Sequence, residues 1–169
     1  MIRILRLYAA SPLGFSETGK LFYQKEFIPR VLDAGFEVID PWTLTDQSLI
    51  NTALQMPYGV KQKKRWQEIN PIIGQNNADG IDRSDIVGAV LDGTDVDSGT
   101  ASEIGYAAAR GIPVIGYRGD FRLSADNVGS TVNLQVEYFI RLHGGEITTT
   151  IDDFYDALVR QRRRLLGEK

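Results

Sequence analysis

The apolar residues of this chain follow two alternating spacings, one typical of buried strands and one typical of helices. Short apolar stretches predict five strands, at residues 2–8, 36–39, 86–91, 113–117 and 146–149. Between them, apolar side chains recur every three or four positions, which predicts helices at 18–34, 61–69, 71–82, 100–110, 131–143 and 151–166. This alternation of strands with helices predicts a parallel sheet that is covered on both faces.

The order of these elements predicts an α/β protein with a flavodoxin-like, doubly wound, five-stranded parallel sheet in the order 2-1-3-4-5. The 169 residues are enough for one domain and too few for two ordinary ones. We therefore expect a single domain that spans residues 1–169. In such a sheet, ligands bind at the carboxyl ends of strands 1 and 3, where the winding reverses.

Three stretches of the chain are less regular. Pro29 lies within the first predicted helix, where a proline is expected to produce a kink. Asn70 and Pro71 match an N-cap followed by a proline at the first helical position, so we expect one helix to end and another to begin there. Residues 42–60 show no clear period and are expected to form a loop or lid over a site.

The loops that follow strands 1 and 3 contain the residues best suited to chemistry. Tyr8 ends the first predicted strand, and Asp92, Asp97 and Glu103 follow the third. Because the predicted topology brings these two loops together, we expect a phenol and three carboxylates to line one crevice.

Glu103 has two interpretations. Thr100 and Glu103 have the spacing of a capping box, in which the glutamate turns back to the start of its own helix. Alternatively, the helix dipole keeps a glutamate of the first turn ionised, and an ionised, oriented carboxylate is what a glycosidic nucleophile must be. A nearby phenol such as that of Tyr8 would hydrogen-bond one carboxylate oxygen and orient the other.

Four segments of the chain resemble one enzyme family. They read YAASP at 8–12, DSGTASEIGYA at 97–107, YRGDFR at 117–122 and VNLQVE at 132–137. Their order resembles that of the nucleoside 2-deoxyribosyltransferases, over roughly residues 2–145. The resemblance implies an enzyme that moves the 2-deoxyribosyl group of 2′-deoxynucleosides between free nucleobases. It further implies a covalent intermediate on Glu103 and net retention at the anomeric carbon.

The resemblance also implies roles for individual residues. Glu103 matches the family nucleophile, and Tyr8 matches the tyrosine that hydrogen-bonds it. Asp97 matches the aspartate that binds a sugar hydroxyl. Asn133 matches an asparagine that completes the sugar site of a neighbouring subunit, which implies a homo-oligomer. Asn77 stands where some members carry an aspartate that contacts the base.

Because an asparagine cannot supply a proton, two carboxyl groups are left as donors to the leaving base, Asp92 first and Asp79 second. Ala10, Phe15 and Gly99 are also expected to contact the substrate, since they belong to the same two loops. An aromatic side chain is expected to stack on the base, and the candidates are Phe15, Trp42, Tyr58 and Trp66.

The composition narrows the possible partners. A net charge of −3 gives no general attraction to nucleic acid or membranes, and the basic residues at 160–164 are expected to be a solvated helix end. The chain has no cysteine and one histidine, His143, which excludes disulfides and a histidine-rich metal site. We expect no metal and no organic cofactor. The sequence shows neither a signal peptide nor an apolar run of membrane-spanning length, so we expect a cytoplasmic protein.

Two other functions are compatible with these patterns. The first is a hydrolase of deoxynucleosides or deoxynucleoside 5′-monophosphates, because nucleoside monophosphate hydrolases carry a related Gly-Thr-x-x-Glu helix start. Asp97 would repel a phosphate near the sugar, which favours free nucleosides. The second is a non-catalytic module that binds a nucleotide or flavin, since the fold alone does not define the function. The acidic loop after strand 3 argues against that ligand.

Overall fold

Five strands form a single sheet in the computed structural model, which describes residues 3–168. In chain order they are β1 (Leu5–Ala10), β2 (Phe36–Ile39), β3 (Ile86–Val90), β4 (Val114–Tyr117) and β5 (Glu146–Thr148). Their order in the sheet is β2-β1-β3-β4-β5, and every neighbouring pair is parallel. The predicted flavodoxin-like, doubly wound fold is therefore confirmed, and the winding reverses between β1 and β3.

Helices cover both faces of this sheet. The seven α-helices are α1 (Glu17–Phe22), α2 (Ile28–Asp33), α3 (Gln47–Leu54), α4 (Val60–Asp82), α5 (Ser98–Ala109), α6 (Leu134–Leu142) and α7 (Ile151–Leu166) among the described residues. Buried residues of α2 and α7 pack on one face, and those of α4, α5 and α6 pack on the other. No helix within residues 3–168 is long and apolar enough to cross a membrane.

The strand periodicity divides the core into two layers. Leu7 of β1 packs with Phe27 and Phe154 on one face of the sheet, whereas its neighbour Tyr8 packs with Ile104 on the other. Successive side chains of a strand point to opposite faces, so adjacent residues of β1 serve different layers. Every residue of β3 is buried, because helices lie over both of its faces.

The first strand ends two residues later than predicted. β1 continues to Ala10, so Tyr8 lies inside the strand instead of ending it. There Tyr8 is paired with Ile39 of β2 and Val87 of β3. Ile2, at which the strand was expected to begin, lies outside the described residues. The position of Tyr8 in the middle of the sheet fixes its side chain more firmly than a loop would.

The expected disturbance at Pro29 takes the form of a π-helical turn. Residues Tyr23–Phe27 form this turn between α1 and α2, and the N–H of Ile28 donates to the carbonyl of Tyr23. A proline has no N–H, so the carbonyl four residues before Pro29 has no helical partner. The wider turn directly before Pro29 accommodates this loss without ending the helical path.

The predicted helix boundary at Asn70 and Pro71 is wrong. Both residues lie inside α4, a single helix of 23 residues. An internal proline costs about 3 kcal/mol relative to alanine. Pro71 lies on the exposed face of α4, whose buried residues, Ile69 before it and Gly80 and Ile81 near its end, anchor the helix to the core, and most helical stability in proteins comes from such packing.

Residues 42–60, predicted as a loop or lid, contain a helix. Asp46 begins α3 by accepting a hydrogen bond from the N–H of Ser48 at 2.8 Å. α6 also starts later than its predicted start at residue 131, because Asn133 occupies its N-cap and accepts from the N–H of Gln135. In both cases a local polar cap sets the helix start.

Candidate active site

A cavity of about 350 Å³ opens beside the carboxyl ends of β1 and β2 and the start of α5. This volume lies at the small end of the range for ligand pockets. Its polar wall consists of Ser11, Thr45, Asn77, Asp97, Thr100 and Glu103. Its apolar wall consists of Phe15, Pro41, Trp42, Ile50, Trp66 and Ile73, and Gly99 completes the lining.

The phenol of Tyr8 is fully buried behind the cavity wall and contacts the carboxylate of Glu103, which lines the cavity. The Tyr8 hydroxyl donates to Oε1 of Glu103 at 2.6 Å, which is a short, charge-assisted contact. Gly80 of α4 leaves room for the phenol ring, since a Cβ at that position would lie 3.1 Å from it. The pair therefore joins the middle of the sheet to α5 through one hydrogen bond, and we call it the Tyr8–Glu103 pair.

Burial controls the ionisation of this pair. It raises the pKa of Glu103 to about 7, although the Tyr8 hydrogen bond lowers that pKa and the charge of Asp97 raises it. Burial and the neighbouring Glu103 carboxylate raise the pKa of Tyr8 far above its usual range. The phenol is thus a permanent donor, whereas the carboxyl group changes its charge near neutral pH.

Both sequence-based expectations for the local setting of Glu103 are wrong. α5 begins at Ser98, and Asp97 is its N-cap, with Oδ2 accepting from the N–H of Thr100 at 3.0 Å. Glu103 consequently lies in the second helical turn, where it belongs to no capping box. Nor is it held ionised at the first turn, because burial raises its pKa. Aspartate is a stronger N-cap than threonine, which was the available signal.

Several other predicted residues line the same cavity. Asp97 caps α5 and also faces the cavity, and Gly99 leaves space beside it, since a Cβ there would lie 3.0 Å from its carboxylate. Asn77 lines the wall with a buried Oδ1 that has no hydrogen-bond partner among the described atoms. Phe15 packs edge-to-face on Trp42 with ring centroids 4.8 Å apart.

Four predicted residues lie elsewhere. Asp92 accepts a hydrogen bond from the backbone N–H of Asp120 at 2.9 Å and is not part of the cavity wall. Asp79 lies in a separate surface depression on α4. Ala10 is fully buried in the sheet, and Tyr58 is fully exposed.

Asn133 also lies outside this cavity within a single chain. Its Nδ2 donates to Asp126 at 2.6 Å, and its Oδ1 caps α6. It lines a different groove, which it shares with Ser98 and Ser102 of α5. The groove and the cavity thus adjoin the same end of α5.

One part of the cavity wall did not follow from the sequence patterns. Thr45, Ile50 and Ile73 line the cavity, but the path of residues 42–60 and the continuity of α4 were not predicted. Asp40 and Pro41 follow β2 directly, at the same edge of the sheet as the other loops. That position was a usable signal, because the carboxyl ends of parallel strands share one edge.

The charged side chains that line the cavity are all acidic. Asp97 and Glu103 line it, and none of its described lining residues is a lysine, arginine or histidine. Within residues 3–168, no group of three or more histidine and acidic side chains is arranged to hold a metal ion. The cavity lies at the edge where open α/β sheets bind ligands, with an acidic part and an aromatic part in its wall.

Comparison with known families identifies the group to which this chain belongs. A family profile described as nucleoside 2-deoxyribosyltransferase matches residues 7–135. The chain therefore belongs to the nucleoside 2-deoxyribosyltransferase family, which confirms the resemblance seen in the sequence. No curated protein sequence matches the chain. Family membership indicates an enzyme that transfers deoxyribosyl groups or cleaves a related N-glycosidic bond.

Solved structures with the same fold span nearly the whole chain. A conserved protein from Enterococcus faecalis V583 has a TM-score of 0.68 and 23% identity, covering 95% of this chain and 99% of that one. A 2-deoxyribosyltransferase from Leishmania mexicana has a TM-score of 0.62 and 21% identity, covering 92% and 97%. A CMP N-glycosidase from Clostridium botulinum has a TM-score of 0.55 and 18% identity, covering 92% and 98%.

Proposed function

We propose that this protein transfers the 2-deoxyribosyl group of a 2′-deoxynucleoside from one nucleobase to another, with Glu103 as the covalent nucleophile. One observation carries the proposal. The Glu103 carboxylate lines the cavity while its Oε1 accepts a hydrogen bond from Tyr8 at 2.6 Å. The hydrogen bond fixes the carboxylate and leaves Oε2 available to an anomeric carbon.

In the first step, Oε2 of Glu103 attacks C1′ as the bond between C1′ and the base nitrogen breaks. The bonding electrons leave with the base, and the transition state has oxocarbenium character that the carboxylate stabilises. In the second step, a nitrogen of the acceptor base attacks C1′, displaces Glu103 and loses its proton. Each step inverts C1′, so the product retains the configuration of the substrate.

Asp97 is proposed to bind the sugar. Its Oδ2 is engaged at the start of α5, which leaves Oδ1 to accept a hydrogen bond from a sugar hydroxyl. Gly99, two residues further, keeps this part of the wall free of a side chain. The sugar would then lie between Asp97 and Glu103, with C1′ facing the latter.

The base is proposed to occupy the apolar part of the cavity. Phe15, Trp42 and Trp66 present aromatic surface there, and Asn77 provides an amide for the base edge. Asp92, proposed from the sequence as the proton donor, does not reach this wall within one chain. Because both carboxylates of the described wall are already engaged, we propose that the departing base takes its proton from solvent.

A second copy of the chain is proposed to complete the site through Asn133. Its groove lies against α5, the helix that also carries Glu103. α6, the helix that Asn133 caps, also carries an exposed apolar stripe, with Leu134, Tyr138 and Leu142 each more than 40% exposed. Such a surface on one helix face suits self-association. Sedimentation of the wild type and Asn133→Ala tests this, with a dimer or larger assembly expected for both and weaker activity for the variant.

Hydrolysis is the second candidate reaction, since one structure of this fold is a CMP N-glycosidase. A nucleoside 5′-monophosphate would bring a phosphate into the cavity. The described lining residues offer it no cationic side chain and place Asp97 in its surroundings. Free nucleosides are therefore the better substrates on electrostatic grounds. The same argument disfavours a flavin or nucleotide as a stably bound ligand.

Incubation with deoxyinosine, with and without adenine, separates these reactions. Transfer predicts deoxyadenosine only when adenine is present, and Glu103→Ala is expected to abolish it. Deoxyribose formed at the same rate with or without adenine would instead show hydrolysis. Deoxyinosine 5′-monophosphate serves as the matched substrate, and its faster cleavage would contradict the preference for free nucleosides.

A further inference from the structure

A second phenol and carboxylate pair lies near the first and has no part in the proposed chemistry. The hydroxyl of Tyr23 donates to Oδ1 of Asp40 at 2.9 Å, and we call these residues the Tyr23–Asp40 pair. Tyr23 is only 5% exposed and stacks on Phe27 with ring centroids 5.7 Å apart. Tyr23 belongs to the π-helical turn, and Asp40 directly follows β2.

The carboxylate of Asp40 also holds the backbone that follows it. The oxygen that accepts from Tyr23 accepts from the N–H of Trp42 at 3.0 Å. The carbonyl of Asp40 accepts from the N–H of Thr43 at 3.0 Å. Asp40 therefore fixes the chain direction at the point where Trp42 leaves the sheet edge.

Trp42 in turn forms much of the apolar wall. Its indole packs edge-to-face on Phe15, and both rings line the cavity that contains Glu103. Gly14 makes this position possible, because a Cβ at residue 14 would overlap the indole ring. The indole thus packs against Gly14 and Phe15, and the backbone from which it projects is anchored by the hydrogen bond from the N–H of Trp42 to Asp40.

We infer that Asp40, held by the hydroxyl of Tyr23, is a positioning residue that sets the aromatic wall of Trp42 and Phe15 for the nucleobase. The identity of the base as the ligand of this wall rests on the proposed function. The position of Trp42 does not, so the two ideas are tested separately. Burial and the charge of Asp40 raise the pKa of Tyr23, so its hydroxyl stays protonated and remains a donor.

The two tryptophans of the chain, Trp42 and Trp66, allow the wall to be observed directly. In a Trp66→Phe background, the fluorescence of the protein reports on Trp42 alone. Asp40→Ala removes both acceptor contacts and is expected to raise the acrylamide quenching constant of Trp42 at least about twofold. Asp40→Asn keeps an acceptor oxygen at the same place and is expected to restore the wild-type value.

Glu37→Ala is the matched control, because Glu37 is an exposed carboxylate on β2, the strand that Asp40 directly follows. It is expected to leave the quenching constant unchanged. If Asp40→Ala fails to fold, Tyr23→Phe removes only the hydroxyl and decides the question with the same readout. Unchanged quenching in a folded Asp40→Ala variant would overturn the positioning role. If Asp40→Ala does not fold, unchanged quenching in Tyr23→Phe would overturn it instead.

Calorimetric titration with adenine extends the test to the ligand, in protein that retains Trp66. Loss of the anchored wall is expected to weaken adenine binding about tenfold in Asp40→Ala and much less in Asp40→Asn.

In the exchange assay the Asp40→Ala variant is expected to show a raised KM for the acceptor base with a smaller change in kcat. Equal losses of kcat in both Asp40 variants, with adenine binding intact, would contradict the inference. If wild-type protein lacks base exchange but the quenching result holds, the proposed function fails and the positioning role stands.

Discussion

The two phenol and carboxylate pairs differ in how many partners each carboxylate has. Glu103 accepts one hydrogen bond among the described residues, from Tyr8, and otherwise faces the cavity. Asp40 accepts from a phenol and from a backbone N–H, so it connects two segments of the chain. A carboxylate with unused acceptor capacity can react, whereas one with several fixed donors serves as an anchor.

The same difference appears in what surrounds each pair. Tyr8 lies in the middle of the sheet, and α5 brings Glu103 to it across the core. Tyr23 directly follows α1, and Asp40 directly follows β2. The carboxylate of Asp40 also binds the backbone of Trp42, in the segment after β2. The first pair thus presents a reactive group on a rigid support, and the second shapes the wall opposite to it.

The sharpest test of this contrast is removal of the Glu103 carboxylate. Glu103→Ala is expected to lower the rate of base exchange at least about 10⁴-fold, because no covalent intermediate can form. The rate is measured with deoxyinosine and adenine under conditions in which the variant is shown to be folded. Exchange within about tenfold of the wild-type rate would contradict the assignment of Glu103 as the nucleophile.

The second largest effect is expected when the phenol hydroxyl of each pair is removed, in Tyr8→Phe and in Tyr23→Phe. Because the Tyr8 hydrogen bond lowers the pKa of Glu103, Tyr8→Phe is expected to raise that pKa above about 7. The acid side of the pH profile of kcat/KM should then move to higher pH, with a loss of about 10- to 100-fold at neutral pH. Tyr23→Phe serves as the control and is expected to leave the acid side in place.

The burial of Glu103 also predicts a stability effect that does not depend on activity. A pKa raised from 4.5 to about 7 in the folded state means that stability is lost as the pH rises through this interval. Glu103→Gln cannot ionise and still offers Tyr8 an acceptor. It is therefore expected to raise the free energy of unfolding by on the order of 3 kcal/mol at pH 8.

At pH 4 the same variant should differ little from the wild type, because the glutamate is then protonated in both states. Urea denaturation at the two pH values measures the difference. An equal effect of Glu103→Gln at pH 4 and pH 8 would show that the charge of Glu103 is not the cause.

The smallest effect is expected at Asp92. Its carboxylate accepts from the N–H of Asp120 outside the cavity wall, and Asp92→Asn keeps that acceptor. The rate of exchange should change by less than about threefold. A loss of 100-fold or more, of the order expected for a general acid, would restore Asp92 as the proton donor and imply a contact that one chain does not show.

The sequence was sufficient to predict the order of the strands in the sheet and the proximity of Tyr8 to Glu103. Both follow from the strand periodicity and the placement of strand ends, which depend on local pattern alone. It was insufficient where packing overrides a local signal. Asn70 and Pro71 resemble a helix start, but α4 runs through them and packs on the core with Ile69 before them and Ile81 near its end.

The aromatic wall could be predicted only in part for a related reason. Trp42 and Phe15 were visible as candidates for stacking, but nothing in their spacing shows that they contact each other. That contact depends on Gly14, which leaves space for the indole of Trp42 from a distant part of the sequence, and on the local hydrogen bond from the N–H of Trp42 to Asp40. Such a wall is a property of tertiary packing, whereas the choice between Asp97 and Thr100 as N-cap was within reach of sequence reasoning.

Intact and peptide mass spectrometry after rapid acid quenching tests the central claim most directly. Wild-type protein mixed with excess deoxyinosine and no acceptor base is predicted to carry one deoxyribosyl group, located on the peptide that contains Glu103. Tyr8→Phe should form the same adduct more slowly, and Glu103→Ala should form none. A deoxyribosyl group found on another residue, or steady base exchange by Glu103→Ala without any adduct, would contradict the account.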